Sequence, residues 1–173
     1  GTYPYVTSSS PVAGGALVGL GFGPREVSQV IGIAKAYTTR VGAGPFPTEL
    51  TDEVGTRIRE VGGEYGTTTG RPRRCGWLDL PILRHAVRIN GLTELALTKL
   101  DVLTDMGSLR IAVAYEREGE RTEVFPSEFG FEQGRWQPVY EELPGWTESL
   151  SEARRRVELP PQAQDYVARV EEA

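Results

Sequence analysis

The sequence predicts a mixed α/β domain, on three observations. Leu109, Ile111, Val113 and Tyr115 alternate with Arg110, Ala112 and Ala114, the period of a strand with one buried face. Leu50, Val54, Ile58 and Val61 share one face of a helix. An apolar stretch at residues 94–98 follows a helical segment that opens at Asp79, so strand and helix signals interleave. The chain has 173 residues, the length of one domain, and can bury a real core. Its 39% hydrophobic and 25% charged content is that of a soluble globular protein.

Taken in order, Gly1-Thr2-Tyr3-Pro4-Tyr5-Val6-Thr7-Ser8-Ser9-Ser10 reads as a strand entered from upstream. That abrupt start, without the loose polar residues usual at a terminus, makes a piece of something longer the expectation. Residues 11–23 read as a loop of small residues. Gly19-Leu20-Gly21-Phe22-Gly23 mimics part of a dinucleotide fingerprint but lacks a βαβ frame and a downstream acid. Pro24 is expected to open a helix with Val27, Val30, Ile31 and Ala34 on one face. Thr38–Val41 reads as a short strand and residues 42–47 as a rigid turn. A second helix runs from about Thr51 to Val61 and stops at Gly62-Gly63. A central loop occupies residues 66–79. Asp79 then caps a helix that ends at Gly91.

Residues 94–98 read as a buried strand that delivers Lys99-Leu100-Asp101. Glu118-Gly119 turns the next strand back into Arg121–Phe125 as a hairpin. Residues 126–150 read as irregular and Arg154-Arg155-Arg156 as a solvated face. Pro160-Pro161 opens a last helix carrying Tyr166, Val167 and Val170. There is no internal repeat.

Composition removes several function classes. No apolar run approaches the roughly 20 residues that span a bilayer. No signal peptide and no initiator Met stand at the start. The single cysteine, Cys75, excludes an internal disulfide and agrees with a reducing cytoplasm. A net charge of −5 argues against a general nucleic-acid binder. Of the 19 basic residues only Lys35 and Lys99 are lysines, which singles out Lys99 in its Thr-Lys-Leu-Asp context.

The chemistry concentrates at residues 66–74, where three threonines, two glycines and three arginines fall together. Glycines let a backbone turn its N–H groups toward one point, and guanidinium forks grip carboxylates or phosphates in pairs. A loop that holds a small anion and a solvated basic turn are both open on these residues. A KxD alone is equally a surface pair. His85, the only histidine, has no carboxylate or cysteine partner nearby. The arginines beside Cys75 are expected to lower its pKa, but no partner base makes it a nucleophile. No spacing suits a metal.

The string TTTGRPRRCGWLD resembles the aspartate-binding loop of the adenylosuccinate synthetase family. GTYPYVTSS at residues 1–9, KAYTTRVGAGPFPTEL at 35–50, LTKLDVL at 97–103 and the PxYExLPGW pattern at 138–146 resemble the same family, in its order. Family chains are roughly twice this length or more, so the expectation is one incomplete domain over residues 1–173. Its substrate loop would be residues 66–79 and its guanine-recognition element 97–103.

The resemblance implies a mixed sheet with flanking helices, part of a P-loop NTPase-like fold. It implies a ligase that joins IMP and L-aspartate with GTP and Mg²⁺, as a cytoplasmic homodimer that binds neither nucleic acid nor membrane. It places Thr7, Ser8, Val41, Gly42 and Arg71 at IMP. Thr67, Thr68, Thr69, Gly70, Arg71, Pro72 and Arg73 would hold aspartate, and Arg73, Lys99, Leu100 and Asp101 GTP. An aspartate at a strand end can accept from guanine N1–H and its 2-amino group, donors that adenine lacks. The Lys99 stem would lie along the base with its ammonium in water. Arg74 would be structural.

The family's Gly-rich loop, catalytic aspartate and catalytic histidine match no residue here, and no GxxxxGK[ST] occurs, so no catalytic residue is assigned. The isolated chain is expected to show no ligase activity. The alternative from another class is a non-catalytic nucleotide- or anion-binding module. A G-protein-like GTPase fails because no P-loop precedes the KLD.

Overall fold

The computed structural model describes residues 2–126 and 135–173. Among these the architecture is mixed α/β, with four α-helices and eight strands. The strand material forms three small sheets rather than one. β1 (Ile31–Lys35) pairs in parallel with β5 (Glu94–Thr98), Lys35 opposite Thr98. β2 (Thr38–Arg40) pairs antiparallel with β3 (Arg74–Gly76), Arg40 opposite Arg74. β6 (Ser108–Arg117) is the spine of a four-stranded mixed sheet. It takes β4 (Leu78–Asp79) in parallel, and β7 (Glu120–Thr122) and β8 (Gln137–Pro144) antiparallel.

The strongest periodic signals gave the expected elements. α2 (Glu53–Val61) starts at Asp52, whose side chain accepts from the Gly55 N–H at 3.1 Å, and buries Ile58. α3 (Leu80–Asn90) is capped by Asp79, which accepts from Ile82 N–H, and it ends at Gly91. Along β6, Leu109 and Ile111 are fully buried while Arg110 points outward. Glu118 and Gly119 both take positive φ, the two-residue turn that matches strand twist. α4 (Pro161–Glu171) buries Tyr166 and Val170, and the Tyr166 hydroxyl donates to the Ala36 carbonyl at 2.6 Å. The main core joins Tyr37, Ile58, Leu80, Leu103, Leu109, Ile111, Trp146 and Tyr166.

Five expectations are corrected. The start of the chain is not a strand, since residues 3–5 form turns and a bend. Residues 13–20 are not a loop but the helix α1 (Ala13–Leu20), and the suspected fingerprint glycine Gly21 is its left-handed cap. Pro24 opens only a three-residue 3-10 turn (Pro24–Glu26), and Ile31 lies in β1. Its β-branched residues find a ladder with β5, which a helix would forfeit. Residues 126–150 hold the eight-residue strand β8, although residues 127–134 of that stretch lie outside the described residues. The strand at 94–98 is half-buried, not buried, and Glu94 is exposed.

Candidate substrate-recognition site

The register of β2 against β3 determines what meets what. With Arg40 opposite Arg74, Val41 and Gly42 leave β2 where Arg73 enters β3. Arg74 closes this junction. Its guanidinium pairs with Glu49 at 2.6 Å and donates to the carbonyls of Gly42 at 3.1 Å and Gly44 at 2.9 Å. The Glu49 carboxylate holds the Arg74 pKa up against burial, while burial and the nearby Arg74 charge press that of Arg40 down. Arg74 is structural, as expected.

The loop itself is a folded-back hairpin. Gly66 N–H donates to Arg71 O at 2.9 Å and Gly70 N–H to Gly66 O at 2.8 Å. Arg73 N–H donates to Glu64 O at 2.9 Å. Gly70 turns the chain at φ 63°, which a side-chain-bearing residue adopts only at a cost. Thr67, Thr68, Thr69, Gly70, Arg71 and Pro72 are all exposed. Among the described residues, the N–H groups of Thr67, Thr68 and Thr69 and the Arg71 guanidinium have no hydrogen-bond partner. The loop thus presents a free guanidinium and free donors from a closed frame. Its last part, beyond Arg73, is not loop: residues 74–76 are β3 and 78–79 are β4.

Glu64, three residues after the end of α2, is the centre that sequence reasoning passed over. Its side chain is fully buried. Oε1 accepts from Lys35 Nζ at 2.8 Å, Tyr37 Oη at 2.6 Å and Lys99 Nζ at 3.1 Å. Oε2 accepts from Lys35 Nζ at 2.8 Å and Arg73 Nη1 at 2.9 Å. Burial pushes its carboxyl up, but the donors from Lys35, Tyr37 and Lys99 outweigh it and hold it down at about 2. The same burial and the adjacent carboxylate drive the Tyr37 hydroxyl far up, so it stays a donor. The only sequence signals for this cluster were the rarity of Lys35 and Lys99 and their place in two of the recognised strings.

Lys99 follows β5 in a left-handed conformation, φ 57°, which swings its side chain toward Glu64. Its ammonium also donates to the Gly62 carbonyl. The expectation of an ammonium in water is therefore corrected, because a buried carboxylate and a carbonyl outcompete solvent for it. Leu100 and Asp101 begin a 3-10 turn (Leu100–Leu103). Asp101 is exposed, and its carboxylate has no partner among the described residues. It opens into a recess with Leu100, Thr104, Ser149, Leu150 and Leu159. Of these, Ser149 and Leu150 end the stretch expected as irregular, and the sequence singles out neither them nor Leu159.

Thr7 and Ser8 are exposed, and Thr7 Oγ1 lies 2.9 Å from Ser9 Oγ. No hydrogen bond among the described residues joins them to Arg71. Their segment does reach the Val41 loop: Arg40 donates to Thr2 Oγ1 at 3.4 Å, and a Cβ at Gly44 would lie 2.7 Å from the Tyr5 ring. Cys75 is buried, and burial pushes its thiol up, contrary to the lowering expected from its arginines. His85 tilts against Phe125 at 5.3 Å, a packing role. Among the described residues no three His, Cys, Asp or Glu side chains come together to hold a metal. Among the described residues no helix is long and apolar enough to cross a membrane.

A family model described as adenylosuccinate synthetase matches residues 1–173. The chain is 62% identical to the adenylosuccinate synthetase of Gloeobacter violaceus, over 96% of this chain and 38% of that protein. It is 59% identical to that of Anaeromyxobacter dehalogenans, over 99% of this chain and 40% of that protein. A fully ligated adenylosuccinate synthetase from Plasmodium falciparum superimposes with a TM-score of 0.93, at 44% identity, over 99% of this chain and 41% of that one. The chain thus spans about two-fifths of the length of these relatives. Matched from end to end by the family pattern and about three-fifths identical to the first two of these relatives, the chain belongs to the adenylosuccinate synthetase family.

Proposed function

We propose that this chain is the substrate-recognition portion of a ligase that forms a C–N bond between IMP and L-aspartate, yielding adenylosuccinate, GDP and phosphate from GTP. The observation that carries this reading is a shared anchor. Arg73 from the substrate loop and Lys99 from the base-reading turn end on one buried carboxylate, so the two recognition elements are neighbours. In the reaction GTP phosphorylates the 6-oxygen of IMP, and the aspartate amine then displaces that phosphate.

The free Arg71 guanidinium and the open donors of Thr67, Thr68 and Thr69 hold the carboxylates of aspartate, with Gly70 and Pro72 shaping the loop. Arg71 also reaches the IMP ribose beside Val41 and Gly42, with Thr7 and Ser8 completing the IMP side. Asp101 accepts the N1–H and 2-amino protons of guanine, and Leu100 and the Lys99 stem flank the base. Arg73 faces the GTP. Mg²⁺ supplies charge neutralisation for phosphoryl transfer, and no side chains among the described residues fit it, so no step here is assigned to it. The whole protein is a cytoplasmic homodimer in this reading.

The test is an assay of the full-length protein with GTP, IMP and aspartate, with adenylosuccinate detected by chromatography. Product whose formation requires all three substrates is the expected result. Binding of GDP without any product would replace this reading by a non-catalytic nucleotide-binding module.

A further inference from the structure

We infer that Glu64 is a positioning residue for two ligand sites at once, setting Arg73 of the substrate loop and Lys99 of the base-reading turn in one register. This rests on the function proposed above. Glu64 is fully buried, so no substrate touches it and it is not a catalytic residue. Its carboxylate receives five contacts from four side chains, and an ionised carboxylate has about four lone-pair positions. The arrangement is saturated and has little freedom to shift.

Three cations share this one carboxylate. Lys35, Arg73 and Lys99 are 25, 31 and 38% exposed, so each has one flank on Glu64 and another toward the surface. Exchanging a buried ion-pair cluster for well-packed apolar residues is often neutral, so stability alone does not account for one. What this cluster supplies is placement. The Glu64 carbonyl also accepts from Arg73 N–H, so main chain and side chain locate Arg73 together. Through Tyr37 and Lys35 the same carboxylate ties in the segment joining β1 to β2. A shift of either recognition element therefore moves the anchor of the other.

Two rival roles predict different kinetics. If Glu64 served only folding, its loss would disturb every substrate alike. If it served only to temper the positive charge, its loss would tighten binding of the anionic ligands. The test is Glu64→Gln in the full-length enzyme, with KM for aspartate, GTP and IMP measured separately. A paired rise of about tenfold for aspartate and GTP, with IMP changed by less than about twofold, is expected from the loss of charged hydrogen bonds at both anchors.

A rise in one constant alone, no rise, a fall, or an equal rise for all three substrates overturns the inference. Tyr37→Phe removes one neutral donor and leaves the ion pairs in place. It is expected to raise the same two constants by about two- to fivefold, and it decides the matter should the Gln variant not fold. An active wild-type enzyme whose variants lack the paired rise defeats this inference alone. A wild-type enzyme without ligase activity defeats the proposed function as well.

Discussion

The Tyr115 hydroxyl donates to both oxygens of the Asp79 carboxylate, at 2.7 and 2.6 Å, across the pairing of β4 with β6. The same carboxylate caps α3, so one buried group joins the sheet to that helix. Burial pushes its pKa up from 3.8 to about 6, against the bonds from Tyr115 and Ile82. The folded state therefore binds the Asp79 proton more tightly than the unfolded chain does. Its contribution is fully present below about pH 4 and is lost as pH rises through about 6, a difference of about 3 kcal/mol. Asp79→Asn keeps the capping oxygen and removes the charge. It should flatten the melting temperature between pH 4 and 7, and a slope equal to wild type would contradict the assignment.

Glu64 pulls the other way. Its folded pKa of about 2 lies below its ordinary 4.5, so its stabilisation is complete above about pH 4.5 and is lost as pH falls toward 2. Acid unfolding of wild type should steepen in that window. Folded Glu64→Gln protein should lack that part of the slope in a pH series of denaturant midpoints.

Arg71 has no partner among the described residues, so replacing it leaves no buried group unsatisfied. Arg71→Leu should leave the melting temperature within about 2 °C of wild type, as for an exposed side chain. It should raise KM for aspartate by at least about tenfold, the worth of a charged hydrogen bond, and far more than KM for GTP. An unchanged aspartate constant would remove the loop from the aspartate site.

Asp101 opens into its recess with both oxygens free of partners among the described residues. An amide there can accept at one atom only, so it cannot take both guanine protons. Asp101→Asn should weaken GDP by about tenfold or more and shift preference toward XDP, measured by calorimetry on the full-length protein. Unchanged affinities for both nucleotides would contradict base reading by this residue.

Cys75 is fully buried between β2 and the core, with its thiol pushed up by that burial. Its alkylation by iodoacetamide at pH 8 should be at least about a hundredfold slower in the native state than in denaturant, because both exposure and thiolate are missing. Equal rates would show the strand open.

Much of this was legible because the deciding forces are local. Asp79 caps its helix with its own side chain, and the alternation from Leu109 to Ile111 is read by the pleat of a single strand, whereas Ala112 and Ala114, expected on the open face, are buried at the irregularity in the β6–β8 register. The loop at residues 66–74 stood out through residue types packed into nine positions, although those types left an anion site and a solvated turn both open. Where local preference was balanced, distant partners chose. Ile31–Lys35 became a strand because β5 offered a parallel ladder, and β8 exists because β6 does. No spacing marks Glu64 among 24 acidic residues. Lys35, Tyr37, Arg73 and Lys99 meet it only after two separate strand pairings, β1 with β5 and β2 with β3, have been made, and the low-dielectric interior they enclose lets one carboxylate organise them all.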